Sequence, residues 1–452
     1  MSSEEPTFES IAQAGARLRS GATTSVQLVD ACLRAIDETH RLTNAFTRVD
    51  AEGARQAARS LDAERARGLD RGPLHGIPIS VKDLIDQAGT VTTAASHVLD
   101  DRIPSTTATV ITRLIEAGAV IIGRTNLHEF ALGTTSDDSA FGPVHHPGDP
   151  TRSPGGSSGG SAAAIATGAG LASIGTDTGG SVRIPAAACG LVGLKPAHGE
   201  IPTDGVVPLS SSLDHVGPLA WTVQDAAWLY AVMTGRAPCA IDARPAKGLR
   251  LRRLAGYFDR PIDATVRAAF DAALAQLRAD GATIDEGTIA DADRIHAEYV
   301  NIVLPEGAHW HAPFLDTRTA LYTPNVHARF VSGRAIPAVD YLRAIDACGA
   351  FRRSVDALLA DCDALVLPTL PIVAPPIGAE SVAIEEGEGG TMPVRAAMLK
   401  HTQLFNLTGH PAISVPVVSS GLPVGLQLVG LHTGTAALLE IAAGCEKIVG
   451  RK

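Results

Sequence analysis

Residues 153–164 read "SPGGSSGGSAAA", and taken alone they pass for a flexible glycine–serine linker. They belong, however, to an uncharged run of twenty-four residues between Arg152 and Asp177 that holds seven glycines. A linker leads into a solvated segment. This one leads into "SAAAIATGAG" (161–170), small and apolar, the composition of a tightly packed buried helix. The run is long enough to span a bilayer, yet only Ile165, Leu171 and Ile174 in it would drive insertion. No membrane span is expected.

Two chemical readings of the stretch fail on context. A phosphate-binding loop needs Lys-Ser or Lys-Thr after its last glycine, and here Ser161 and Ala162 follow. Gly155–Gly159 and Gly156–Gly160 both match G-x-S-x-G, but a nucleophile elbow is fed by a hydrophobic strand, and "HHPGDPTRSP" is none. A further reading needs a second stretch, "GTDTGGSVRIP" (175–185), where Ser181 follows two glycines. Successive glycine N–H groups can turn inward and hold an oxyanion. Two serine-bearing glycine turns, twenty-four residues apart from Ser157 to Ser181, are thus joined by a small-residue helix.

Working outward, "IPISVKD" (77–83) alternates Ile77, Ile79 and Val81 as a strand does, leaving Ser80 and Lys82 on its other face with Lys82 at its carboxyl end. Helices and strands then alternate. "TATVITRLIEAGA" precedes "VIIGR", a helix before "ATIDE" ends at "RADG", and another precedes "DALVLPT". "PAISVPVV" and "VGLQLVG" read as paired strands and "TAALLEIAAGCEKIV" as a last helix. Upstream, residues 7–68 read as helical, with a capping box at Thr24 and Gln27 and a stripe of Val26, Val29, Leu33 and Ile36. The pattern predicts one α/β domain over 1–452, with a central mixed, twisted β-sheet covered by helices on both faces. Its core is placed at 74–230, a less regular, insert-like region at 240–335, and the last part of the sheet with the final helix at 360–452.

A formal net charge of −10 argues against a nucleic-acid-binding face. Six cysteines without a C-x-x-C pair argue against a disulfide framework or structural zinc and for reduced thiols in the cytoplasm. The start, "MSSEEPTFES", is no signal peptide. Histidine bases are the competing chemistry: His75, His145, His146, and the His309–His311 pair, which with Glu306 would make an incomplete metal site.

The two glycine–serine stretches together with Lys82 resemble the amidase signature family. So do "SSLDHVGPLAWTVQDAA" and "GHPAISVPV". The resemblance implies Ser181 as the nucleophile that forms an acyl-enzyme, Ser157 as a bridging serine on a cis peptide, and Lys82 as general base. It implies an oxyanion hole from the N–H groups of Thr178, Gly179, Gly180 and Ser181. Asp177 and Arg183 would be supports, with Ser158 beside them, and no metal or cofactor is required. Asp83 is read as structural.

A lysine of ordinary pKa, about 10.4, is protonated at neutral pH, so its use as a base demands burial away from carboxylates. The implied reaction is hydrolysis of a small neutral amide, anilide or carbamate, in a protein compatible with a homodimer. One alternative is the glutaminase A subunit of glutamyl-tRNA(Gln) amidotransferase, which hands ammonia to a partner subunit. Such subunits hold the glutamine amine with an aspartate shortly before Asn-Leu-x-Gly-x-Pro; here, before "FNLTGHP", no acid occurs from Gly389 to Leu439. Another alternative is an inactive scaffold. Pocket-forming loops are expected near 125–145, 305–345 and 368–400.

Overall fold

The computed structural model describes residues 9–384 and 390–450. The acidic residues 1–8, with the first two positions of the segment 7–68, lie outside the described residues, as do 385–389 within the loop 368–400. The strands are β1 (Phe46–Val49), β2 (Pro78–Lys82), β3 (Val120–Thr125), β4 (Ala172–Thr176), β5 (Val192–Lys195), β6 (Val216–Ala220), β7 (Arg250–Leu254) and β8 (Thr283–Gly287). They continue as β9 (Ala364–Pro368), β10 (Ser381–Ala383), β11 (Thr391–Pro393), β12 (Ala412–Val417) and β13 (Val424–Val429). Eleven of them make one sheet in the order β1-β3-β2-β4-β6-β5-β12-β13-β9-β7-β8, flanked by helices, while β10 and β11 pair by themselves.

The sheet is mixed. β3, β2 and β4 run parallel, β6, β5, β12 and β13 are joined antiparallel, and β9, β7 and β8 are parallel again. β2 is interior, and all five of its residues are buried. Ile79 and Val81 anchor one of its faces at about 1.5–3 kcal/mol per fully buried side chain. The opposite face carries polar groups that must find partners, and Ser80 Oγ donates to Ser173 Oγ of β4 at 2.9 Å.

The helix Gly159–Ala166 follows the glycine–serine stretch and packs on β4 and β2. Its residues are small because backbone comes that close: a Cβ on Gly160 would sit 2.8 Å from Asn126 N. The linker reading is therefore wrong. Every residue from Ser153 to Ile165 is buried.

Two expectations need correction. The segment 7–68 is not all helix, because β1 interrupts it, pairing antiparallel with β3 at the sheet edge. The region 240–335 supplies β7, β8 and the helices Ala264–Ala279, Ile295–Leu315 and Pro324–Gly333. Its order was masked by two prolines, Pro305 and Pro313, inside one helix and by the charged, mostly exposed edge strand β8. Elsewhere the capping box at Thr24 and Gln27 forms in both directions, and all six cysteines are free. No helix of the described residues is long and apolar enough to cross a membrane.

Candidate active site

β2 and β4 end side by side. Their register pairs Val81 with Ile174, which brings Lys82, at the carboxyl end of β2, beside Thr176, at the carboxyl end of β4. Lys82 is fully buried; its Nζ donates to Ser157 Oγ at 2.7 Å and to Thr176 Oγ1 at 2.9 Å. No carboxylate of the described residues lies within ion-pair distance. Burial lowers its pKa to about 7, against the pull of the more distant Asp177 and Asp214.

Ser157 sits at the end of the glycine–serine loop, on a cis Gly156–Ser157 peptide. Ser136 holds that loop from outside: its hydroxyl lies 3.1 Å from Gly155 O and 3.2 Å from Ser157 O, and 3.2 Å from the Gly159 N–H. Ser158 joins the two serine loops. Its N–H donates to Ser181 O at 3.2 Å and its hydroxyl to Thr176 O, also at 3.2 Å. Ser181 is nearly buried, 5% exposed.

The loop 178–181 is held by its side chains and carbonyls, and its amides are left over. Thr402 Oγ1 donates to Gly179 O at 2.5 Å, and Ile184 N–H donates to Gly180 O at 2.7 Å. Thr178 Oγ1 donates to Asp214 Oδ1 at 2.6 Å. Among the described residues, the N–H groups of Thr178, Gly179, Gly180 and Ser181 have no acceptor. Gly180 has φ +138°, and a Cβ there would meet Thr402 Cβ at 2.7 Å; a Cβ on Gly179 would meet the Tyr299 hydroxyl at 2.5 Å. Glycine is required at both positions.

Asp177 and Arg183 form a fully buried bidentate pair, with Nε–Oδ2 at 3.0 Å and Nη2–Oδ1 at 2.8 Å. Asp177 Oδ2 also accepts the Val182 N–H at 3.2 Å, and Asn406 Nδ2 reaches Oδ1 at 2.9 Å. Arg183 spends its remaining donors on Thr402 O, Gln427 Oε1 and Asn406 Oδ1. Burial by itself would raise the Asp177 carboxyl, but the guanidinium beside it prevails and holds it far below the usual carboxylate range. The pair fixes the turn that carries Ser181.

His75, His146 and His311 have other work. His75 Nε2 lies 2.9 Å from Leu61 O, and His146 Nε2 lies 3.0 Å from Ala188 O. His311 bonds the Tyr322 hydroxyl and stacks on Phe330, while Glu306 turns to Ser210, Ser212 and Tyr341. Asp83 is bound by Thr93 and Thr47, away from Lys82.

Sequence reasoning missed Thr176, Ser136, Asp214, Thr402, Asn406 and Gln427. Thr176 stood within a quoted motif, three residues from Gly179, and a strand-end hydroxyl next to a buried lysine was the available signal.

The structure thus brings a buried lysine and two serine-bearing glycine loops together, and comparisons with known proteins place the chain in a family. The amidase family model matches residues 27–439; the chain belongs to the amidase signature family. The A subunits of glutamyl-tRNA(Gln) amidotransferase from Chloroflexus aurantiacus and Anaeromyxobacter dehalogenans are 36% and 38% identical, each over 97% of this chain and 96% of that protein. A solved amidase superposes with a TM-score of 0.92 at 36% identity, covering 98% of this chain and all of that one. The peptide amidase of Stenotrophomonas maltophilia does so at 0.83 and 29%, covering 98% and 97%. The chain is an enzyme of amide C–N bonds, a hydrolase or an amidotransferase.

Proposed function

We propose that the chain is a stand-alone amidohydrolase that cleaves small amides, anilides or carbamates through an acyl-serine. Ser181 Oγ attacks the carbonyl carbon, and its proton passes to Ser157, whose own proton goes to Lys82 Nζ. The oxyanion is received by the free N–H groups of the loop 178–181. On collapse the C–N bond breaks, and the relay runs backwards to protonate the leaving nitrogen. Water then enters by the same route, releases the acid and restores Ser181.

The observation that carries this reading is the fully buried Lys82, with no close carboxylate among the described residues and 2.7 Å from Ser157 Oγ. With the amine neutral, the Ser157 O–H can turn its proton toward Nζ. Ser181 enters on its placement, tied to the Ser157–Ser158 loop by the bond from Ser158 N–H.

The glutaminase reading is favoured by the names of the A-subunit relatives. Against it stands the acid-free stretch before "FNLTGHP", where Leu399 lies against the loop at Gly179. A fluorophosphonate, mapped by peptide mass spectrometry, tests the core of the proposal. Ser181 is expected to be labelled in the wild type and not in Lys82→Ala. Labelling of another residue, or of none, contradicts it. Ammonia release from free glutamine with a co-purifying partner would favour the alternative.

A further inference from the structure

We infer that the amide substrate also carries a carboxylate and that Arg395 receives it, an inference that rests on the amidase reading above. A cavity of about 410 Å³ lies beside the reactive loops. One wall, 132–135, runs directly into Ser136, which holds the Ser157 loop. Another is the start of the helix Val394–Leu399. That helix ends against the other loop, since a Cβ on Gly179 would lie 3.0 Å from Leu399 Cδ2. Residues 395 and 399 are one turn apart and share a helix face, about 6 Å along the axis. Arg395 therefore stands one turn away from the oxyanion loop, on the side of the cavity.

Its chemistry is unspent. Arg395 donates to Leu132 O at 3.1 Å, and no carboxylate of the described residues lies within ion-pair distance of it. Arg329 lines the same cavity and likewise has no ion-pair partner among the described residues. Burial lowers the Arg395 pKa to about 10, with Arg329 pushing the same way, so it stays charged at neutral pH. The acids lining the cavity make their hydrogen bonds to other groups, and Asp138 also acts on Arg329 through space. Asp138 lies 3.5 Å from His128 Nε2 and 3.3 Å from Asn325 Nδ2. Asp137 accepts the Gly378 N–H at 3.0 Å, its other oxygen being unpartnered; Glu380 is exposed.

A partly buried guanidinium with no close counter-ion among the described residues is unfavourable, and its planar fork matches a carboxylate. The acid-free stretch from 389 to 439 thus has a second meaning. It removes a site for an ammonium, and among the described residues it also leaves Arg395 without a close carboxylate, which replaces the expectation of a neutral substrate. The spacing calls for a short chain between amide and carboxylate.

Calorimetry on the Ser181→Ala protein tests this without turnover, using succinamate and its neutral analogue succinamide. Succinamate is expected to bind roughly 10- to 100-fold tighter, the worth of one or two charged hydrogen bonds. The preference should vanish in Arg395→Met, return partly in Arg395→Lys and weaken in Arg329→Gln, the fallback should Arg395→Met fail to fold. Equal binding of the two compounds, or a preference that survives Arg395→Met, overturns the inference. Labelling of Ser181 in the wild type reports separately on the amidase reading, so the two can fail independently.

Discussion

Lys82 Nζ and Ser157 Oγ stand 2.7 Å apart although seventy-five residues separate them in the chain. Neither is held there by a charge. Lys82 is placed by a buried strand and Ser157 by a loop that Ser136 clamps, and Thr176 Oγ1 takes a second hydrogen of the amine at 2.9 Å. Thr176 is thus a positioning residue for Lys82. Thr176→Val keeps the shape and removes one hydrogen bond, so kcat should fall about tenfold with KM essentially unchanged. Thr176→Ser should restore the rate. If Thr176→Val matches the wild type, the amine is held by packing alone.

Burying a lysine has a consequence for stability. The folded-state pKa is lowered to about 7 from the ordinary lysine value of 10.5. Between those values the unfolded chain binds the proton and the native one does not, so stability rises with pH across that window. Below about pH 7 the penalty is complete, on the order of 5 kcal/mol at 1.36 kcal/mol per pKa unit. Lys82→Met should therefore be inactive yet more stable than the wild type near pH 6, with the gain shrinking as pH approaches 10. Denaturant midpoints across that range decide it, and a gain that does not change with pH contradicts the assignment.

Gly180 has φ +138° and no room for a side chain beside Thr402. Gly180→Ala should abolish fluorophosphonate labelling of Ser181 while costing about 1–3 kcal/mol of stability, the range for overpacking. Gly168→Ala, at φ +74° with open space around it, should be strained but fully labelled. Equal labelling of both variants would mean the shape of the loop 178–181 is not required.

How much of this was legible follows from where each residue finds its partners. The alternation in "IPISVKD" and the small-residue helix after 158 are local patterns, so β2, Lys82 and the two serine loops could be read directly. β1 could not, because four residues between two strongly capped helices carry too short a pattern to stand out. The support of Asp177 and Arg183 by Asn406 and Gln427 was hidden for a different reason. Those bonds cross more than two hundred residues, and nothing in the chain near 177 announces them. The cavity at Arg395 was out of reach in the same way, since its walls come from four separate segments.

The buried ion pair gives an acid-side prediction. Because the Asp177 carboxyl is held below its usual range in the folded state, its contribution is present above the unfolded pKa and drains away as pH falls through and below about 4. Removing one partner leaves the other uncompensated, so Arg183→Met should cost about 3–5 kcal/mol at neutral pH. The stability gap between wild type and Asp177→Asn should narrow in acid. A pH-independent gap would show that packing, not charge, is what the pair supplies.

In the proposed mechanism Lys82 acts as a neutral base on Ser181 through Ser157. The pH dependence of the rate at which a fluorophosphonate labels Ser181 tests it most directly. The rate should rise with pH to a plateau, half-maximal near the Lys82 value of about 7, with slow labelling and no such step in Lys82→Met. A midpoint near the ordinary lysine value, or the same step persisting in Lys82→Met, would contradict it.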